Sequence, residues 1–161
     1  MGWKLGYGLD LTSWGLRMVR LLAAGLLIAA AVSTQAAAAD IGRIKTVVGQ
    51  ASIVRGATTL PATPGATLSV KDVLTTGPDG RIGVTFIDNS RFAVGPNAHV
   101  SLTQFEFDDT THKGSSLTQV DRGSLAIVSG QIAKENKDQM KVKTPTSLLA
   151  ARGTRFVVDV P

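Results

Sequence analysis

The amino-acid sequence after Asp40 predicts an all-β fold, and three observations support this prediction. Apolar residues alternate with small or polar residues through Arg81–Ile87, which is the period of a half-buried strand. Turn signals recur at roughly the ten-residue spacing of all-β domains. No segment after Asp40 carries the 3.6-residue apolar stripe of a helix, and residues 130–137 could form one helical turn at most.

The segments expected to be extended lie between turn residues. In chain order they are 42–55, 68–75, 81–87, 91–94, 100–107, 117–120, 124–128, 140–143 and 154–160. The expected turns between them are Pro78-Asp79-Gly80, Asp88-Asn89-Ser90, Gly95-Pro96-Asn97, Asp121-Arg122-Gly123 and Arg152-Gly153-Thr154. A proline presets φ, Asp and Asn bond the neighbouring backbone, and glycine accepts positive φ or a close backbone approach. We place Gly80 and Gly153 in turns of this kind.

Three long polar stretches are expected to be loops, namely 57–67, 108–116 and 134–139. The first belongs to a segment with two Pro and two Gly, which excludes a central strand. In Val100–Phe107 the apolar residues move from even to odd positions, which predicts a bulge or a corner. Many short strands with glycine at the corners favour a β-solenoid or roll, and an irregular β-sandwich is the alternative.

The N-terminal residues predict export. An uncharged run, Leu21–Ala39, follows Arg17 and Arg20, and it ends in four consecutive alanines that offer small-residue cleavage sites. We therefore interpret residues 1–39 as a signal peptide, whose true start could be Met18, and residues 40–161 as one periplasmic or secreted domain. An uncleaved membrane span is the alternative, but the second half of the run is weakly apolar. After cleavage no stable membrane span is expected.

The composition excludes several classes of function. The chain has no cysteine, so thiol catalysis, cysteine metal sites and disulfides are absent. After residue 39 there are 14 Lys and Arg against 11 Asp and Glu, and the basic residues are scattered rather than concentrated in a nucleic-acid footprint. Every Trp and Tyr precedes Asp40, which leaves no expected aromatic platform for sugars or bases. Five Phe remain and are expected in the core.

The search for catalytic or metal-binding chemistry yields no site. His99 and His112 are thirteen residues apart with a loop between them, which is not ligand spacing. The acidic group around Asp108 and Asp109 is better interpreted as a solvated turn beside His112 than as a metal site. No local motif orients a nucleophilic serine. Turn chemistry accounts for three other carboxylates without catalysis: Asp72, Asp79 and Asp88. We predict no catalytic residue, no metal, no cofactor and no small-molecule substrate, and the binding residues are not identified.

Taken together, these turns resemble the FecR-type domain of bacterial envelope proteins. The residues that carry the resemblance are Asp72 to Gly77, Asp79-Gly80, Asp88-Asn89-Ser90, Arg122-Gly123 with Gly130, and Thr144-Pro145 with Arg152-Gly153-Thr154. Each motif is weak alone, but the set covers nearly all of residues 42–160. The resemblance implies a periplasmic signal-relay domain in regulators of iron-siderophore uptake, which receives its signal from a TonB-dependent outer-membrane transducer. Only twenty residues precede the apolar run, so no anti-sigma domain is expected there.

Three classes of function follow from these observations. The leading hypothesis is a non-catalytic module that binds another envelope protein, with contacts made by the loops 57–67, 108–116 and 134–139. The alternative is a structural or adhesive envelope domain that displays its loops. An enzyme is the least supported, because no nucleophile or metal set is oriented by any motif.

Overall fold

The computed structural model describes residues 39–151 and 155–161, which all belong to one compact unit, Ala37–Pro161. The expected signal peptide, residues 1–39, lies outside this part of the chain except for Ala39. The elements are β1 (Asp40–Val48), β2 (Ala51–Arg55), β3 (Thr58–Pro61), β4 (Thr67–Ser69), β5 (Val73–Thr76), β6 (Arg81–Phe86), β7 (Arg91–Val94), β8 (His99–Phe107), β9 (Gly114–Val128), α1 (Gln131–Glu135), β10 (Met140–Lys143), β11 (Leu148–Ala150) and β12 (Arg155–Val160). The all-β prediction is confirmed, and the short helix α1, the one helix among the described residues, lies where one turn was expected.

The twelve strands form one curled sheet. Its path runs β3-β2-β5-β8-β9-β7-β6-β1-β4, with β10 and β12 paired to β9 and β11 paired to β10. All pairings are antiparallel except that of β10 with β9. The sheet bends so that two halves enclose the core. Half A contains β1, β4, β6, β7, β12 and residues 123–128 of β9, and half B contains β2, β3, β5, β8, β10, β11 and residues 114–122 of β9.

Glycines mark the line along which the sheet bends. The chain passes from one half to the other at Gly49, at Gly77–Gly80, at Gly95 and at Gly123. Backbone hydrogen bonds join neighbouring corners, from Gly77 N–H to the Gln50 carbonyl oxygen at 2.9 Å and from Gly95 N–H to that of Ser124 at 2.8 Å. A side chain at most of these corners would collide with the neighbouring corner. Glycine is therefore required there for space, and at Gly49 and Gly123 also for positive φ.

One predicted turn is wrong. Asp121-Arg122-Gly123 does not separate two strands, because β9 runs without interruption from Gly114 to Val128. Gly123 instead bends this strand, with φ of +81°. A Cβ atom added at Gly123 would lie only 2.7 Å from the Cβ atom of Ala98. A bend inside a strand and a hairpin turn both use glycine, which is why the sequence did not distinguish them.

Two further segments differ from the sequence expectation. The region 57–67 contains β3 and the first residue of β4, and 108–116 includes the start of β9. The expectation that the prolines and glycines exclude a central strand here is confirmed. Among the described strands β3 pairs with β2 alone, at the edge of the sheet, and all four of its residues are exposed. Strand β11 was not expected at all. The solenoid or roll is not supported, since the strands form a curled half-barrel rather than stacked coils.

The core lies between the two halves. Phe86 of half A stacks on Phe105 of half B with ring centroids 5.3 Å apart, and it meets the edge of Phe92 at 4.6 Å. The predicted bulge in β8 is confirmed by a register shift between Leu102 and Gln104. This extra residue is what moves the buried positions from Val100 and Leu102 to Phe105.

Candidate functional site

Asp72 lies directly before β5 and is the buried partner of an ion pair with the partly exposed Arg55. Its carboxylate accepts hydrogen bonds from Arg55 Nε at 2.8 Å and Nη2 at 2.7 Å, and from the Ser69 backbone N–H at 2.8 Å. The same guanidinium donates to the Thr67 carbonyl oxygen at 3.1 Å. The hydrogen bond to Asp72 raises the pKa of Arg55. The sequence placed Asp72 in a turn but gave no sign of Arg55, which is distant along the chain, and the pair has a structural role.

The Asp88-Asn89-Ser90 turn joins β6 to β7 and packs against the start of α1. Asp88 is buried, and its Oδ1 accepts hydrogen bonds from Ser90 N–H at 3.0 Å and Ser90 Oγ at 2.6 Å. Asn89 has φ of 64°, as Asn often does in turns. The Asp88 carbonyl oxygen accepts the Gln131 N–H at 2.8 Å, and an added Cβ at Gly130 would overlap this carbonyl. This arrangement orders the turn and leaves no carboxylate directed to solvent.

Asp79, Gly77 and Gly80 form the corner between β5 and β6. Asp79 Oδ1 accepts only a long hydrogen bond, 3.4 Å, from the Gln50 N–H. Of the two reasons expected for glycine at position 80, positive φ or close backbone approach, the structure shows the second. A Cβ atom added at Gly80 would overlap the Gln50 carbonyl oxygen and would lie 2.9 Å from the Thr76 Cβ. These residues therefore act on the bend of the sheet. The expected turn Arg152-Gly153-Thr154 lies outside the described residues.

A polar network covers the outer face of half B near the bend. His99 Nδ1 lies 2.8 Å from Asp121 Oδ2, and Gln119 Nε2 donates to Asp121 Oδ1 at 2.6 Å. These bonds, that of Gln119 first and that of His99 next, lower the pKa of Asp121. The nearby hydroxyls of Ser52 and Thr75 bond to each other at 2.6 Å rather than to the imidazole. The histidine and carboxylate thus form a hydrogen-bonded pair at the surface without an oriented nucleophile.

The acidic loop after β8 is a local turn. Asp108 Oδ1 accepts hydrogen bonds from the backbone N–H groups of Thr110 at 2.9 Å and Thr111 at 3.2 Å. These bonds, that of Thr111 first, lower the pKa of the exposed Asp108 carboxyl. Its neighbour His112 has φ of 55° and stacks near Phe107, with ring centroids 6.4 Å apart. Within residues 39–151 and 155–161 no group of three potential metal ligands comes together.

Several of the most exposed large apolar side chains in the described part of the chain lie on the edge strands β11 and β12. Leu148 is 62% exposed, Leu149 is 41% exposed and Val157 is 65% exposed. Between these strands lies a cleft of about 560 Å³, lined by Leu149, by the turn 144–147 and by the end of β12. We call Leu148, Leu149, Val157 and this cleft the edge surface.

The edge surface lies apart from the three loops in which binding is expected from the sequence, because it is formed by the edge strands β11 and β12 and the turn before β11. The expected loop 134–139 holds the end of α1 and a turn, and none of the three expected loops contributes to the cleft. A signal was present in Arg155–Val160, where the outward positions of an alternating strand include a valine between two charged residues. Only the pairing of the strands shows that this strand ends the sheet.

Among the described residues no helix is long and apolar enough to cross a membrane. No curated protein and no solved structure shows a significant match to the chain. A family model, described as FecR protein, matches residues 72–160, which is more than half of the chain. The match begins at Asp72, so β1 to β4 precede it, although β1 and β2 pair directly with β6 and β5. On this match, the chain belongs to the FecR protein family.

Proposed function

We propose that this chain is an exported, non-catalytic signal-relay module that acts by binding another protein of the bacterial envelope. Membership of a regulatory family supports a signalling role rather than an enzymatic one. The apolar run Leu21–Ala39 with its terminal alanines supports export, because it has the pattern of a cleavable signal peptide.

The single observation that carries the binding role is the edge surface. Leu149 and Val157 line a cleft at one margin of the sheet and remain 41% and 65% exposed, and Leu148 is exposed on the opposite face of β11. Exposed apolar side chains that border a cleft are typical of interaction sites. A partner that covered them would gain the free energy of removing apolar area from water, about 25 cal/mol per Å².

The arrangement of polar groups supports a non-catalytic role. The buried carboxylate of Asp72 accepts hydrogen bonds that hold β4 and β5 in place. Oδ1 of Asp88 accepts those that order the β6–β7 turn, whereas its Oδ2 is buried without a hydrogen-bond partner among the described residues. His99 is directed to Asp121, and its neighbouring hydroxyls are paired with each other. Asp72 and the His99–Asp121 pair therefore have local structural explanations.

The FecR resemblance further supports a link to iron uptake, with a TonB-dependent transducer as the class of upstream partner. The test is crosslinking of the tagged full chain in intact cells, in iron-replete and iron-depleted medium, followed by purification and mass spectrometry. An unrelated exported protein with the same tag is the control. We expect a specific envelope protein to be recovered crosslinked to the chain, and the yield of this complex to differ between the two iron conditions. Recovery of no specific partner would contradict the binding role, and an iron-independent complex would contradict only the link to iron.

A further inference from the structure

The two halves of the sheet end differently on one side of β9. Strands β7 and β8 follow each other along one side of β9, and β10 and β12 lie along the other. Beyond β9, half B continues with β10 and then β11, whereas half A continues with β12 alone. In the described chain β12 pairs only with β9, through all six of its residues. Within residues 39–151 and 155–161 no strand pairs with the other side of β12, whose alternate N–H and C=O groups can therefore accept another strand.

Leu149 shows that this side of the core is incompletely covered. It is the register partner of Val142, which is fully buried. Directly opposite residues on neighbouring strands point to the same face of the sheet, so Leu149 lies on the core-facing row. It is nevertheless 41% exposed. The cleft beside it is lined from the other half by Val158 and Val160 of β12. A strand added to β12 would lie over this leucine.

The outer face of β12 specifies the charges of an added strand. Arg155, Val157 and Asp159 point outward, while Phe156, Val158 and Val160 pack against the core. Cross-strand neighbours of opposite charge stabilise a sheet and like charges destabilise it. The best matched segment therefore has a carboxylate opposite Arg155, an apolar residue opposite Val157 and a cation opposite Asp159.

We propose that the envelope partner binds by adding one extended segment, antiparallel, along the free edge of β12. The segment has apolar residues at its core-facing positions, which cover Leu149 and complete half A, and it carries the charges given above. Main-chain hydrogen bonds supply affinity, and the alternating side chains supply selectivity. This inference rests on the proposed binding function and adds the site and the mode of docking.

A second copy of the chain is a poorer occupant than a single segment. Antiparallel pairing of two β12 strands about Val157 would match Arg155 with Asp159 of the other copy. However, half B extends one strand farther than half A, about 4.8 Å. Two copies that approached through β12 would bring their β11 strands together before the β12 edges could pair. A lone segment meets no such obstacle.

The test uses a capped, fluorescein-labelled peptide, Lys-Val-Val-Leu-Glu, whose residues would lie opposite positions 159 to 155. Binding to the purified protein is followed by fluorescence anisotropy and by amide chemical shifts in β12. We expect saturable binding with shifts concentrated in β12. The same peptide methylated on alternate backbone nitrogens should bind at least tenfold more weakly, because it keeps the side chains but loses the main-chain donors.

Charge variants test the register of the added strand. Arg155→Glu should weaken peptide binding at least tenfold, whereas the matched control Lys113→Glu, an equal change on an exposed loop, should leave it unchanged. A peptide with Glu first and Lys last should bind the double variant Arg155→Glu/Asp159→Lys better than the original peptide does. Circular dichroism confirms that each variant is folded.

Several results would overturn the strand-addition proposal. They are no peptide binding, equal binding of the methylated peptide, and indifference to the charge variants. A concentration-dependent dimer in sedimentation that Arg155→Glu dissociates would replace the segment with a second copy. The proposed function is judged separately, by partner recovery with the wild-type chain. If a partner is recovered and Arg155→Glu does not weaken its binding, the function stands and this docking mode is wrong.

Discussion

Replacing Arg55 with alanine removes both donors that its guanidinium gives to the Asp72 carboxylate, at 2.8 and 2.7 Å. Asp72 would then keep the Ser69 N–H bond but hold its charge at 1% side-chain exposure. Loss of one partner from a buried ion pair costs about 3–5 kcal/mol. Because the Arg55 side chain is 41% exposed, water screens part of the pair, and we expect the low end of that range, about 3 kcal/mol.

The double variant gives the decisive comparison. Asp72→Asn alone can keep one oxygen acceptor for Ser69 N–H and Arg55 Nη2, but it removes the negative charge and places an NH2 group opposite Arg55 Nε–H, at a cost of about 1–2 kcal/mol. In the Arg55→Ala background the same change removes an unpaired buried charge, so it should be neutral or stabilising. The free energies of unfolding of the four proteins are measured in urea, with m-values compared to check that each unfolds in the same way. If the double variant loses the sum of the two single losses to within about 0.5 kcal/mol, the two residues are not coupled and the ion-pair reasoning is refuted.

Three further predictions concern the bend, the hydrogen-bonded Asp121 carboxylate and the N-terminus. Gly80→Ala should destabilise the protein by about 2 kcal/mol, because overpacking against backbone costs about 1–3 kcal/mol or more. The control in the same urea assay is Gly56→Ala, which is at positive φ but has nothing within 4 Å of the added Cβ. An equal loss of stability in both variants would contradict the close-approach argument. The lowered pKa of Asp121 means that its charged form stabilises the fold above the unfolded-state pKa, and that this contribution is lost as pH falls through the folded pKa, below 3.8. Asp121→Asn should therefore lower the thermal midpoint most at neutral pH, and a deficit that persists unchanged at pH 2 would show that the charge is not its cause. Mass spectrometry of the protein from the export compartment should find its first residue at or near Asp40. The processed protein should have almost no absorbance at 280 nm, because every Trp and Tyr precedes this position. An intact N-terminus in washed membranes would contradict cleavage.

Local patterns in the sequence were sufficient for the class of fold and for most of its strands. The alternation in Arg81–Ile87 and the turn at Asp88–Ser90 depend on residues that are adjacent in the chain, so they could be predicted without knowledge of the rest. The parity shift in Val100–Phe107 likewise predicted the bulge that the structure contains between Leu102 and Gln104. Periodicity and turn chemistry are local properties, and for this reason they survive folding.

The tertiary structure decided what depends on pairing between distant residues. Whether Gly123 ends a strand or bends one, and whether Gly80 is needed for φ or for space, depends on neighbours such as Ala98 and Gln50 that other strands supply. Arg55 could not be recognised as the partner of Asp72 for the same reason. The candidate binding site could not be recognised in the sequence for a related reason, because an edge strand and a central strand can have the same alternating pattern. The exposure of Val157 and Leu149 follows from the order of strands in the sheet, which no local pattern encodes.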